Sequence, residues 1–135
     1  VKSAGYAAEL GTGYVFGQFM SDSDGAEVLR AYRDTFRPSV HRAEPSAMLA
    51  VSVICAETEA RAEVLAAQAA EGFRARGGAP FQGFSGTAKQ VLEQLGNLQQ
   101  KCRNDEFLIV SLIPDYEERL LSYQLLAEAS RVEKL

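Results

Sequence analysis

A parallel α/β fold is predicted by three features of the 135-residue sequence. The stretches Ala47–Ala56 and Glu106–Ile113 are almost continuously apolar, which suits strands buried on both faces of a sheet. Apolar residues between them recur at helical spacing. Glycine, proline or a capping side chain stands at the switches between segments. Buried-type strands alternating with amphipathic helices read as βαβ units around a parallel sheet. The expected order is α, β, α, β, α, α, β, α, in one domain of residues 1–135. An eight-stranded β/α barrel takes about 250 residues, so the sequence has room for half a barrel or a small doubly wound domain.

Lys2–Leu10 reads as a short helix whose Ala4, Ala7 and Ala8 allow close packing. Gly11 is its expected stop, because glycine accepts the left-handed conformation. Residues 14–19 form an aromatic, strand-like run interrupted by Gly17, and Ser21 with Asp24 has capping-box spacing before the next helix. Ala26, Leu29, Tyr32 and Phe36 place an apolar stripe on that helix, and Pro38 ends it. After the Ala47–Ala56 strand, Thr58 caps a helix running to about Arg76, where Gly77 and Gly78 stop it. Residues 77–86 read as a Gly/Pro/Phe loop. Thr87 then opens a helix carrying Val91, Leu95 and Leu98 on one face. Pro114 closes the strand 106–113, Asp115 with Glu118 repeats the capping-box spacing, and the last helix carries Leu120, Leu121, Leu125 and Leu126.

Composition narrows the function classes. Fourteen Lys and Arg against eighteen Asp and Glu give a net charge of -4, which disfavours a nucleic-acid or anionic-membrane surface. No apolar run reaches the ~18 residues needed to span a bilayer, and the opening residues lack a signal-peptide pattern. Cys55 and Cys102 do not make a disulfide framework, and both are expected to be reduced, as in a cytoplasmic protein. Val1 is not an initiator methionine, so a processed or partial chain is expected.

Few constellations point to chemistry. Gly83-Phe84-Ser85-Gly86-Thr87 lacks the last glycine of a nucleophile elbow, and a triad through His41 in its proline-flanked loop lacks support. A small hydrolase domain would need Ser85 as nucleophile. There is no histidine pair and no Cys-x-x-Cys for a metal. Asp22 and Asp24 fit a helix cap better than a cation site, and Glu57, Glu59, Glu63, Glu117 and Glu118 fit a solvated face that complements helix dipoles. Asp105-Glu106 enters a strand, a position read as structural. Gly11-Thr12-Gly13 precedes a strand instead of following one, so the dinucleotide-binding context fails. Ser3 begins a helix, where it serves either as an ordinary cap or as a ligand for an anion.

Six segments in order resemble the C-terminal part of the bacterial luciferase-like flavin-dependent monooxygenase family. Ser3-Ala4 with Ala7-Ala8-Glu9-Leu10-Gly11 is similar to its Ser-Ala-x-x-Ala-Ala-x-x-Gly helix. Tyr14–Phe19 resembles the following strand, and Tyr32–Ser39 its Tyr-Arg-x-x-Phe-x-Pro-Ser segment. Val51–Thr58, the Gly86-Thr87 stretch with Val91 and Leu95, and Asp105-Glu106 with Arg119–Ala129 complete the series. The resemblance implies a TIM-type (β/α)8 barrel of which this chain carries strands six to eight. It implies reduced flavin mononucleotide (FMN), or alternatively a deazaflavin, as cofactor. Ser3 matches the last serine of the turn that grips the cofactor phosphate, so Ser3 and Ala4 are its expected binding residues. No catalytic residue is suggested. The first five strands are absent, Val1 and Lys2 depart from the small residues of that turn, and the loop 77–86 is shorter than the family's. The expectation is therefore a flavin-dependent oxidoreductase present in part, acting on a small molecule and forming a homo-oligomer. The alternative is a non-catalytic α/β fragment or paralogue that self-associates.

Overall fold

The computed structural model describes residues 2–77 and 82–132. Its elements are α1 (Lys2–Leu10), β1 (Tyr14–Gly17), α2 (Gly25–Thr35), β2 (Ala47–Cys55), α3 (Glu59–Ala75), β3 (Phe84–Gly86), α4 (Ala88–Cys102), β4 (Phe107–Val110) and α5 (Tyr116–Val132). The fold is α/β. β1 with β2 and β2 with β3 run parallel, as in part of a TIM-type barrel, and β4 also pairs with β2.

Five expectations are corrected. The segment read as a loop over 77–86 contains β3, so strands and helices alternate without a break. Three residues ending in a glycine at φ +148° are too few to show a periodicity, yet they pair with Val53–Cys55. β1 ends at Gly17, not Phe19, because Gly17 (φ -81°, ψ 81°) leaves the extended region and a 3₁₀ turn follows over Gln18–Met20. β4 stops at Val110, not Ile113, where Ser111 Oγ accepts from the Ile113 N–H (3.5 Å), a local bond that competes with the ladder. Asp24 alone caps α2, accepting from the Ala26 N–H at 2.9 Å, while Ser21 Oγ accepts from the Ser23 N–H. Thr58, Thr87 and Asp115 each cap a helix, and Thr87 forms a reciprocal box with Gln90, whereas the Glu118 side chain pairs with Arg61 and does not close the box expected with Asp115. Gly78 and Val1 lie outside the described residues.

The chain divides into two compact units. In the first, Val1–Ala50 with Leu98–Leu108, Tyr14 pairs with Ala47 and Gly17 with Ala50. Tyr32 is fully buried and organises this unit. Its hydroxyl donates to the Thr12 carbonyl at 2.7 Å, lies 3.2 Å from the Ser46 carbonyl and accepts from the Ser46 N–H at 3.1 Å. The Tyr14 and Phe36 rings flank it at 5.6 and 5.8 Å. In the second unit, Val51–Asn97 with Ile109–Leu135, Ile54, Ala56, Ala62, Leu65, Ala69 and Ile113 form one apolar cluster. The small side chains of α3 let its one buried leucine, Leu65, settle beside β2, and burying such a side chain is worth about 1.5–3 kcal/mol.

Candidate anion-binding turn

α1 is short and alanine-rich, and its position is set at its far end. Gly11 adopts φ +65°, and the Gly11 and Thr12 N–H groups close back on the Ala8 and Ala7 carbonyls. A side chain at Gly11 would meet the Arg37 carbonyl and Ser39. The Ala8 carbonyl also accepts from the Arg37 N–H at 2.9 Å. Ala4 and Ala8 are buried along the helix, which packs against α2.

The opposite end presents Ser3 and Ala4. Both lie in the first turn, where backbone N–H groups have no partner within the helix. The first turn carries no acidic residue, a feature shared with α4, whereas α2, α3 and α5 carry Glu27, Glu59 and the pair Glu117–Glu118 in theirs. The positive end of the α1 dipole is therefore not offset by its own side chains, and Lys2 adds a cation. Ser3 is exposed and its hydroxyl lies 3.1 Å from the Tyr14 hydroxyl. Tyr14 in turn rests on Tyr32, so the serine is tied to the fully buried ring of its unit. The sequence carried no signal for the Ser3–Tyr14 pair, because the partners lie eleven positions apart across a helix and a turn. Donors and a helix dipole converging on an exposed point suit an anion such as a phosphate monoester.

The other candidates are accounted for structurally. His41 is exposed, with its backbone N–H donating to Ser39 Oγ. Ser85 lies in β3, opposite Ile54 in the strand register. Asp24 caps α2 and pairs with Lys101 at 3.3 Å, and the Ala26 N–H bond first and Lys101 second hold its carboxyl below the usual value. The Glu106 carbonyl accepts from the Leu49 N–H and from the Asn104 side chain. Glu118 pairs with Arg61 at the start of α5. Cys55 and Cys102 are free and buried. Burial pushes the Cys55 thiol up to about 11, and burial chiefly raises Cys102, so neither offers a thiolate at neutral pH. Among the described residues no group of three or more His, Cys, Asp or Glu could hold a metal ion, and no helix is long and apolar enough to cross a membrane.

No protein-family model matches the sequence. The uncharacterized protein YwcH of Bacillus subtilis (strain 168) is 32% identical over 156 residues, covering 95% of this chain and 47% of YwcH. YceB of the same organism, also uncharacterized, is 49% identical over 65 residues, covering 48% of this chain and 20% of its own. The chain thus spans about half the length of the curated relative it matches along nearly its whole length. Among solved structures, apo-MsnO8 matches with a TM-score of 0.84 and 28% identity over 96% of this chain and 48% of MsnO8. The riboflavin lyase RcaE, solved with modified FMN and its substrate riboflavin, matches with a TM-score of 0.61 and 15% identity over 97% of this chain and 41% of RcaE. This last likeness is one of fold.

Proposed function

We propose that this chain is the C-terminal portion of a luciferase-like flavin-dependent oxidoreductase, and that the first turn of α1 holds the phosphate of FMN. The observation that carries the reading is the pairing of free amides at Ser3 and Ala4 with an exposed serine hydroxyl, at a helix end that lacks any acid. Six ordered segments that resemble the family support it, as does the MsnO8 match along 96% of the chain. When bound, the flavin supplies the redox chemistry. The chain's own contribution is binding and orientation: the Ser3 hydroxyl and the Ser3 and Ala4 N–H groups donate to phosphate oxygens, and Tyr14 holds the serine in place. A deazaflavin carrying a phosphate would meet the same turn.

The test is a fluorescence-quenching titration of parent and Ser3→Ala with FMN and with riboflavin. A hydrogen bond to a charged group is worth about 1.5–3 kcal/mol, so Ser3→Ala is expected to weaken FMN by roughly ten- to a hundredfold. Riboflavin, which lacks the phosphate, is expected to bind both proteins alike. Unchanged FMN affinity in Ser3→Ala removes the serine from the site.

A second reading, self-association of a non-catalytic piece, draws on Val15 and Met48. These are register partners in β1 and β2 and remain 50% and 39% exposed, while their neighbours Phe16 and Leu49 are buried. Covering that pair by a second copy gives a concentration-dependent dimer in sedimentation equilibrium. Covering it by the rest of a longer chain gives a monomer once that chain is present.

A further inference from the structure

The first unit also carries a concentration of positive charge that the flavin reading does not use. A cavity of about 400 Å³ lies along α2 and the end of α4, lined by Arg30, Arg33, Lys101 and Arg103 with a single carboxylate, Asp34. The whole chain has a net charge of -4, so this is a local reversal of sign. Two of the cations are committed. Arg33 donates to the Cys102 and Arg103 carbonyls, at 2.9 Å each, and to Asn104 Oδ1 at 3.1 Å. Lys101 pairs with Asp24 at 3.3 Å. The other two are available, because neither the Arg30 nor the Arg103 guanidinium has a partner among the described residues.

The backbone at Arg103 supplies a second observation. The Asn104 N–H closes on the Gln99 carbonyl at 3.2 Å, which ends α4 in a Schellman turn and places Arg103 at its left-handed position. Its φ of 50° is the one positive value at a non-glycine residue among the described residues. Glycine or asparagine is the usual occupant of that position, so the chain accepts strain and gains an arginine in the cavity lining. The same turn presents the carbonyls that Arg33 clamps, which fixes the cavity wall. α4 leads directly into β4, so the cavity sits beside the entry to that strand.

We propose that this cavity is a binding site for a phosphoryl-bearing small molecule. Planar guanidinium forks match phosphate oxygens two at a time, and a cleft lined by one sign of charge concentrates the opposite ion. Arg30 and Arg103 grip the phosphoryl group. Arg33 and Lys101 contribute field from fixed positions, and Asp34 opposes binding. The proposal stands independently of the α1 turn.

Calorimetric titration of the full chain with pyrophosphate, in low-salt chloride buffer, tests it. One saturable site is expected. Arg30→Gln and Arg103→Gly are each expected to weaken it by about tenfold, the loss of one charge-assisted contact in a solvated cleft, and Asp34→Asn to strengthen it several-fold. Arg103→Gly separates binding from folding, because glycine relieves the left-handed backbone and is expected to leave the Tm unchanged or raised. Absence of saturable heat overturns the proposal. So does equal affinity across parent and variants, or a loss caused by Ser3→Ala in place of the arginine variants, which would put the anion at α1.

Discussion

The two compact units are held together by different means. The first is organised by directional bonds: one tyrosine hydroxyl joins three backbone groups near Thr12 and Ser46, and one arginine clamps the end of α4. The second is organised by apolar burial of Ile54 and Ile113 with small residues and Leu65 of α3. It also carries Ser52 Oγ and Gln94 Oε1, buried without a hydrogen-bond partner. The candidate site and the cationic cavity both lie in the directional unit. Bonds with fixed partners hold side chains in one geometry, which a ligand site requires, whereas apolar packing supplies stability with looser positional demands.

The largest expected loss is in the apolar unit. Leu65→Ala is expected to cost about 2–5 kcal/mol in urea unfolding, since the rigid neighbours of α3 leave a cavity. Tyr32→Phe keeps the ring but strands the Thr12 carbonyl and the Ser46 N–H, while the Ser46 carbonyl keeps the Tyr14 N–H, and is expected to cost about 1–3 kcal/mol. If Tyr32→Phe proves neutral, the contrast between the units fails. Ser52→Ala is the smallest change and has the opposite sign. Removing an unpartnered buried hydroxyl is expected to stabilise the protein by about 1 kcal/mol.

Alkaline pH sharpens the same contrast. The Cys55 thiol holds its proton to about 11 in the folded state against an ordinary value of 9.0. A raised value favours the folded state below pH 9, and that contribution is lost as pH rises from 9 towards 11. Stability of the second unit is therefore expected to fall over that range, and Cys55→Ala is expected to flatten the profile. A parent profile that is already flat contradicts the assignment.

Much of the architecture was legible because it rests on local rules. Gly11, Thr58, Thr87 and Asp115 mark element ends through their own backbone or side-chain bonds. Residues 49–55 of β2 announce burial on both faces, whereas the equally apolar β4 leaves Leu108 half-exposed. β3 escaped notice because three residues acquire strand character only from their partner, Val53–Cys55. The site was legible in part. A serine opening a helix is a local signal, but it does not separate a cap from an anion ligand. The absence of acid in the α1 turn is shared with α4, and it gains meaning only beside the exposed Ser3 hydroxyl. The Ser3–Tyr14 and Arg33–Cys102 bonds join residues eleven and sixty-nine apart, and no spacing rule reaches that far.

The central claim is that the first turn of α1 receives the flavin phosphate, and amide chemical shifts in a ¹⁵N-labelled sample test it at the atoms concerned. Addition of FMN is expected to move the Ser3 and Ala4 amide resonances saturably, while riboflavin leaves both in place and Arg103→Gly does not alter the response. Saturable FMN binding with the Ser3 and Ala4 amides unmoved would contradict the account.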